Sequence, residues 1–285
     1  MSNLEKNPLE KGDFFVKIPL ILISQVITQM SRFKAATLHF IISLAAVASI
    51  ITIMLTLWFP NAYFKLMGGK TLIYLIAGVD VLLGPLLTLA VFKSGKKGLK
   101  FDLTCIAMLQ VAAMSYGLYV MFVARPIFTA FNKNAFYVAS VVDIVPSELA
   151  KGKKPEWRTA SITGPRLVAA ASPDKENKSE TVFYEIESQM GVAQQYPRLY
   201  DDYANHKLDV IKAGKPLSVL AKISFENKQA IDKFLSEVKR PTLDFLFLPI
   251  YSATGEMSVI VDAKTSDFIQ IIDAKYETKK TGEHP

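Results

Sequence analysis

The chain has 285 residues, 51% of them apolar, and a formal net charge of +7. The positive excess lies wholly before residue 127, where there are 12 basic and 5 acidic residues, whereas the rest of the chain has 21 of each. A nucleic-acid partner is therefore not expected, because the excess belongs to the apolar half, where Lys and Arg set membrane topology.

Three long apolar runs in the first half predict transmembrane helices. They cover about residues 35–59, 71–92 and 103–124, and the only Asp, Glu, Lys or Arg within them is Asp80. Each run exceeds roughly 20 residues, the length needed to cross the hydrocarbon core. The sequence thus predicts a three-helix transmembrane region over residues 30–126, embedded in the lipid bilayer.

Residues 1–29 form an N-terminal extension with two interpretations. Their apolar stretch, residues 14–27, is too short and too polar to span a membrane comfortably. Met30 stands directly before a basic tetrapeptide and the first span, so one hypothesis is that translation begins at Met30. The alternative is an amphipathic helix that lies on the inner membrane surface.

The distribution of lysines predicts the orientation in the membrane. The connection between the second and third spans, residues 93–102, has four lysines, and Arg32 and Lys34 precede the first span. The connection between the first two spans has only Lys65 and Lys70. The positive-inside rule places the N-terminus in the cytoplasm and residues 127–285 on the opposite side, which is the periplasm in the case of a bacterial inner membrane.

Residues 127–285 are predicted to form a periplasmic α+β domain with a C-terminal antiparallel meander. Short apolar or alternating runs indicate strands near residues 135–145, 167–171, 243–252, 257–262 and 268–274. Helical spacing of apolar residues predicts a helix over residues 225–238. The last three strands are joined by short turns, which favours antiparallel pairing. The only cysteine, Cys105, lies in the third span, so this domain has no disulfide.

Asp80 is the most informative residue of the apolar half. A carboxyl inside a span costs about 2.5–3.5 kcal/mol to insert, so it normally faces protein or water. It shares a face of small and polar side chains with Gly84 and Thr88, and small residues let helices approach closely. Pro85 lacks the amide that would bond to the Val81 carbonyl, so a kink and a free acceptor are expected there.

Two interpretations of Asp80 stay open. In the first it is a packing residue, hydrogen-bonded within the three helices, and Ser49 and Ser115 fall at a similar depth. In the second it engages a polar group on a helix of another protein. A proton relay is not expected, on the premise that no second acid, histidine or lysine lies within a span. The candidate residues for partner binding or packing in the membrane are Gly78, Asp80, Gly84, Pro85, Thr88, Gln110 and Gly117.

Outside the spans the sequence gives few indications of a site. Gly164, Pro165 and Arg166 place an arginine at a turn for recognition of a carboxylate, although a turn entering a strand explains the tripeptide equally well. The three histidines have no metal-ligand spacing, and the sequence has no nucleotide-binding loop or catalytic motif. It therefore predicts no enzyme activity, no metal and no cofactor.

Several motifs together indicate a family. They are Met-Ser-Arg-Phe-Lys-Ala from Met30, Leu-Trp-Phe-Pro from Leu57, Phe-x-Leu-Met-Gly-Gly from Phe64, Ala-Gly-Val-Asp-Val-Leu-Leu-Gly-Pro from Ala77, Gly-Leu-Lys-Phe-Asp from Gly98, Ala-Arg-Pro-Ile-Phe from Ala124 and Gly-Pro-Arg-Leu-Val from Gly164. On these residues the chain resembles the type IV pilin accessory protein family, TfpX/TfpZ, from Met30 to near Ala274.

The resemblance implies an inner-membrane accessory protein that acts as a chaperone for a major type IV pilin, without catalytic residues or a cofactor. The spans are expected to hold the membrane helix of the pilin, and the outer domain to contact its periplasmic head. Two other classes of function remain open. One is a membrane-bound enzyme that modifies pilin, such as a glycosyl transferase, and the other is a periplasmic sensor module.

Overall fold

The computed structural model describes residues 30–173 and 177–276, so the predicted N-terminal extension lies outside the described residues. The chain divides into two compact units, Met1–Ile50 with Tyr74–Gly117 and Ile51–Ile73 with Leu118–Pro285. The described residues of the first unit form helices and turns, whereas the second unit contains a β-sheet.

Helices dominate the described residues before the sheet. In chain order they are α1 (Arg32–Ile53), continued by a π-helix at Met54–Trp58, α2 (Tyr63–Leu66), α3 (Gly69–Ala77), a second π-helix at Gly78–Leu83, α4 (Gly84–Val91) and α5 (Leu99–Ala124).

Two helices among the described residues, not the three predicted, are long and apolar enough to cross a membrane by length and composition. They are Arg32–Trp58, of 27 residues, and Leu99–Ala124, of 26 residues. The predicted second span, residues 71–92, is divided into α3, a π-helix and α4, and its apolar part Gly78–Val91 is shorter. The π-helix ends at Leu83, two residues before Pro85, which has no amide to bond to the preceding turn, so the helix before it takes the wider π form.

The second unit is built on a mixed sheet. Its strands are β1 (Pro126–Asn132), β2 (Ala135–Ser140), β3 (Arg166–Ala170), β4 (Tyr200–Asp201), β5 (Lys215–Pro216), β6 (Phe245–Tyr251), β7 (Glu256–Asp262) and β8 (Phe268–Ile272). The strand order is β4-β3-β1-β2-β6-β7-β8, and β5 also pairs with β6. The pairs β1/β3 and β2/β6 are parallel, and the others are antiparallel.

The predicted C-terminal meander is confirmed, because β6, β7 and β8 pair antiparallel in chain order. The sheet as a whole is mixed, which the sequence does not predict. Antiparallel neighbours can be joined by a short turn that is visible locally, whereas the partners of a parallel pair are separated by a long crossover. The sequence therefore predicts the meander but not the way it joins the rest of the sheet.

Short helices and one long helix cover the sheet. They are α6 (Pro146–Leu149), α7 (Lys178–Gln189), α8 (Lys207–Ala213), α9 (Leu217–Ala221) and α10 (Phe225–Val238). One core cluster forms around Phe128, Trp157 and Tyr200, and a second forms where α9 and α10 pack on β6, β7 and β8 around Phe234 and Phe247. Each half of the sheet thus has its own apolar core.

The segment between α1 and α3 packs against the sheet within the second unit. The hydroxyls of Tyr63 and Thr129 are 2.7 Å apart and buried. Ser252 Oγ donates to the carbonyl of Leu66 at 2.8 Å, and a Cβ on Gly255 would lie 2.5 Å from the same carbonyl oxygen. Tyr63 and Leu66 are therefore core residues of the sheet unit, although the sequence places them in a connection between spans.

Candidate functional site

A chain of hydrogen bonds links helices of the first unit. His39 lies on α1, Thr88 on α4 and Gln110 on α5. His39 Nδ1 is 2.6 Å from Thr88 Oγ1, and His39 Nε2 is 2.8 Å from Gln110 Oε1. Gln110 Nε2 donates to the backbone carbonyl of Asp80, in the π-helix, at 3.1 Å. We call His39, Asp80, Thr88 and Gln110 the polar network.

The connectivity fixes the direction of each hydrogen bond. Because the amide nitrogen of Gln110 donates to the Asp80 carbonyl, its oxygen is left to accept, so His39 donates from Nε2. In a neutral ring Nδ1 is then the acceptor, and the hydroxyl of Thr88 donates to it. The network is one ordered chain from Thr88 through His39 and Gln110 to the backbone at Asp80.

The π-helical turn explains why the Asp80 carbonyl needs a side-chain partner. The amide of Gly84 donates to the carbonyl of Val79, five residues earlier, which is the π-helical pattern. In that pattern the next amide would reach the Asp80 carbonyl, but the next residue is Pro85, which has no amide. Gln110 supplies the missing donor. The free acceptor thus lies at Asp80 and not at Val81, where an α-helical pattern would leave it.

Gly84 makes room for this contact. A Cβ at Gly84 would lie 2.7 Å from Gln110 Cδ, well inside normal contact distance. Gly78 differs, because a Cβ there would meet no atom within 4 Å. Of the other candidates, Pro85 and Thr88 are buried in α4, and Gly117 is half-buried on α5, seven residues after Gln110.

The Asp80 side chain is enclosed, with only 1% of the residue exposed. Within the described residues neither of its carboxyl oxygens has a hydrogen bond of normal geometry, although the Gln110 amide is close enough to act as a weak donor and His39 interacts with the carboxyl through its charge. His39 and one N–H of the Gln110 amide donate to other acceptors, whereas the second N–H of that amide remains available to the carboxyl. Asp80 is therefore an enclosed acceptor whose hydrogen bonds are incomplete within the described residues.

The premise that disfavoured a proton relay is wrong. His39 lies in the first predicted span and belongs to the same network as Asp80. The serines expected at a similar depth do not take part: Ser49 donates to the Ala45 carbonyl on its own helix at 2.8 Å, and Ser115 is exposed. The network is built from longer polar side chains instead, because these can reach across the space between helices.

The second unit holds the tripeptide Gly164, Pro165 and Arg166. Gly164 adopts a left-handed conformation with φ of 69°, and a Cβ there would lie 2.9 Å from Pro60 Cγ. Arg166 begins β3, and its Nη1 donates to the carbonyl of Thr159 at 2.6 Å. The tripeptide thus forms a packed turn at the start of a strand, and a role in recognition stays a prediction.

Proteins of Dichelobacter nodosus are similar to this chain over most of its length. The fimbrial assembly protein of serogroup I is 32% identical over 235 residues, which are 80% of this chain and 90% of that protein. The protein of serogroup E1 is 30% identical over 235 residues with the same coverage. The chain belongs to the fimbrial assembly protein family. A shorter relative, of serogroups C1 and C2, is 35% identical over 119 residues, which are 41% of this chain and 90% of that protein.

No protein-family model and no solved structure matches this fimbrial assembly protein. Its candidate site therefore rests on its own geometry. In the described part of the chain, no group of three or more His, Cys, Asp or Glu side chains is placed to hold a metal ion.

Four of the predicted candidates in this fimbrial assembly protein meet in one place: Asp80, Gly84, Thr88 and Gln110. Sequence reasoning missed His39, which joins them. The available signal was a histidine inside an otherwise apolar run, which needs a polar partner for the same reason that a carboxyl does.

Proposed function

We propose that this fimbrial assembly protein is a type IV pilin accessory protein of the TfpX/TfpZ kind, an inner-membrane chaperone for one major pilin. The observation that carries the proposal is the extent of the similarity, since relatives named fimbrial assembly proteins match 80% of the chain. These relatives support a role in pilus biogenesis and an interaction with pilus components. The finer role, as a chaperone that binds pilin, is our proposal.

In this proposal α1, the α3–α4 segment and α5 each cross the membrane. Large apolar side chains are exposed on all of them, such as Ile41 at 55%, Leu86 at 60% and Met108 at 68%. Exposed apolar side chains in such numbers favour contact with lipid or with a partner helix. The lysines of residues 93–102 favour a cytoplasmic N-terminus, so three crossings put residues 127–285 in the periplasm.

This topology lets one protein contact both parts of an unassembled pilin. The spans hold the membrane helix of the pilin, and the periplasmic domain contacts its head. Within the membrane, the group that gains most from a client is the Asp80 carboxyl, because it is enclosed and its hydrogen bonds are incomplete in the described structure. A hydrogen-bond donor on the pilin helix is the partner that this carboxyl would take once the helices around it separate to admit the pilin.

Substitution of Asp80 tests the proposal. We expect Asp80→Asn and Asp80→Leu to reduce the pilin that co-purifies with the detergent-solubilised protein by about tenfold, the equivalent of one hydrogen bond to a charged group. Asp102→Asn is the matched control, since Asp102 is paired with Lys96 at 2.7 Å outside the network. Unchanged pilin recovery in both Asp80 variants, with melting temperatures near that of the wild type, would remove Asp80 from the client site.

The topology has its own test. Alkaline phosphatase fused after Ala274 should be active, because it is exported, and a green fluorescent protein fused at the same place should be dark. A reporter active only in the cytoplasm would contradict the encounter with the pilin head.

The alternative functions lack support from the described residues. A pilin-modifying transferase would need an acidic or metal-binding cluster on an outer loop, and no metal-binding group is found in the described residues. A sensor would need a cytoplasmic output domain, and among the described residues the proposed topology places only the start of α1 and residues 93–102 in the cytoplasm. The chaperone proposal requires neither feature.

A further inference from the structure

A groove rich in tyrosine opens on the second unit. Its cavity has a volume of about 390 Å³. It is lined by Asn134, Ala135, Tyr137, Ala213, Lys215, Pro249, Tyr251 and Tyr276, and we call it the tyrosine groove. It is separate from the polar network, which belongs to the first unit.

The groove arises from a gap beside β6. Strand β2 pairs with β6 at Ile250 and Tyr251, whereas β5 pairs with it at Leu246 and Phe247. Leu248 and Pro249 therefore lie opposite neither strand. Proline suits this position because it has no amide that would be left without a partner. The gap leaves the side chains around it open on one side.

Two of the tyrosines, Tyr137 and Tyr251, contribute rings and hydroxyls to the groove. The rings of Tyr137 and Tyr251 are 5.5 Å apart, and both residues are half-buried. Neither hydroxyl has a hydrogen-bond partner among the described residues. Burial raises the pKa of Tyr251 to about 12, and the charge of Glu256 adds to this shift. The phenols thus remain protonated at neutral pH, ready to donate to an acceptor.

Lys215 is the charged side chain among the residues that line the groove, and Glu256 lies beside Tyr251 outside the lining. Lys215 Nζ is 2.5 Å from the Tyr276 hydroxyl and 4.0 Å from the centre of its ring. Among the described residues Lys215 has no ion pair, and none of the groove-lining side chains is a carboxylate. A half-buried ammonium in a groove with phenolic hydroxyls favours a carboxylate on the ligand, since charge-assisted hydrogen bonds are the strong ones.

The groove lies near the end of strand β1, within the second unit. Strand β1 begins at Pro126, directly after α5, and ends at Asn132. At about 3.3 Å per residue, the strand carries the chain roughly 20 Å from the helix end. Asn134, in the turn that follows, lines the groove. In the proposed topology residues 127–285 are periplasmic, so the groove lies on the same side of the membrane as a pilin head.

We propose that the tyrosine groove binds a carboxylate-bearing peptide segment on the periplasmic head of the client, with Lys215 pairing with the carboxylate and Tyr137 and Tyr251 providing hydroxyl donors and aromatic contact. Tyrosine is enriched at protein-binding surfaces because it gives a rigid, amphipathic contact area with little entropy loss. The inference rests on the proposed function, and it names the surface and the ligand chemistry of that encounter.

The test measures the affinity of the full-length protein in detergent for the major pilin of the same bacterium. We expect Lys215→Glu to weaken binding by about tenfold or more, because it replaces an attraction with a repulsion. Tyr251→Phe should weaken binding by about two- to tenfold, the range for one lost hydrogen bond. The matched control is Lys233→Glu, which makes the same charge change on an exposed position of α10 and should change affinity less than about twofold.

A competition experiment identifies the chemistry of the ligand. The peptide Gly-Glu-Gly-Glu should displace pilin at high concentration, and its analogue Gly-Gln-Gly-Gln should not. Equal affinity for Lys215→Glu and wild type, or equal competition by both peptides, would overturn the proposal. A gain in pilin affinity on deletion of residues 277–285 would also overturn it, because the chain's own C-terminal segment would then be the occupant.

Failure of this inference is distinguishable from failure of the proposed function. If wild-type protein binds pilin and Lys215→Glu binds equally well, only the groove assignment is wrong. If wild-type protein does not bind pilin, the chaperone proposal itself is wrong.

Discussion

Replacement of Gly84 by alanine tests the polar network without removing any of its polar groups. A Cβ at this position would lie 2.7 Å from Gln110 Cδ, so the Gln110 side chain must move. Its movement would break the contacts with His39 at 2.8 Å and with the Asp80 carbonyl at 3.1 Å. Hydrogen bonds between membrane helices contribute about 0.6–1.7 kcal/mol each, so we expect Gly84→Ala to lower the free energy of unfolding by about 1–3 kcal/mol.

The chain offers a matched control six residues earlier. A Cβ at Gly78 would meet no atom within 4 Å, and alanine favours helix over glycine by about 1 kcal/mol. Gly78→Ala should therefore be neutral or stabilising. The assay is an SDS titration of the protein in mild detergent, with unfolding followed by protease susceptibility.

A double-mutant cycle assigns the cost of Gly84→Ala to Gln110. In a Gln110→Ala background the clash no longer exists, so Gly84→Ala should cost less than about 0.5 kcal/mol there. The reasoning is refuted if Gly84→Ala is as mild as Gly78→Ala, or if its cost is the same in both backgrounds.

Three further predictions concern the second unit. Tyr63→Phe should lower the free energy of unfolding by about 1–2 kcal/mol, since it strands the buried Thr129 hydroxyl, and adding Thr129→Val should recover most of the loss in the same denaturation assay. The Arg240 guanidinium, with two backbone amides, holds the pKa of Asp262 well below its usual value. The ionised Asp262 carboxylate stabilises the fold above its unfolded pKa, near 4, and this stabilisation is lost as pH falls through its folded pKa. The melting temperatures of wild type and Asp262→Asn should therefore converge between pH 6 and pH 2. Gly164→Ala should destabilise by about 1–3 kcal/mol in thermal unfolding, because alanine is strained at a φ of 69°.

The features that sequence predicted well are those with local causes. Helix α10 runs from Phe225 to Val238, as its apolar spacing predicts, because Ser224 caps its first turn and Lys239 ends it in a left-handed conformation. The strands of the meander are likewise read from short turns. In each case the residues that decide the structure are neighbours along the chain.

The features that sequence missed depend on distant residues. Pro85 leaves the Val81 carbonyl without an amide partner in an α-helical turn, and the Asp80 carbonyl in a π-helical turn. The structure has the π-helical turn, and Gln110, on another helix, donates to the Asp80 carbonyl. The role of His39 depends on partners 49 and 71 residues away. The parallel strand pairs also join residues that are far apart in the sequence, so no local sequence pattern predicts them.

Photo-crosslinking in living cells tests most directly the central claim that the membrane helices bind pilin. A benzoylphenylalanine placed at Leu86, which is 60% exposed on α4, should form an adduct that antibodies against the major pilin recognise. Cells that assemble normal pili with this variant, yet give no pilin adduct from Leu86 after irradiation, would contradict the claim.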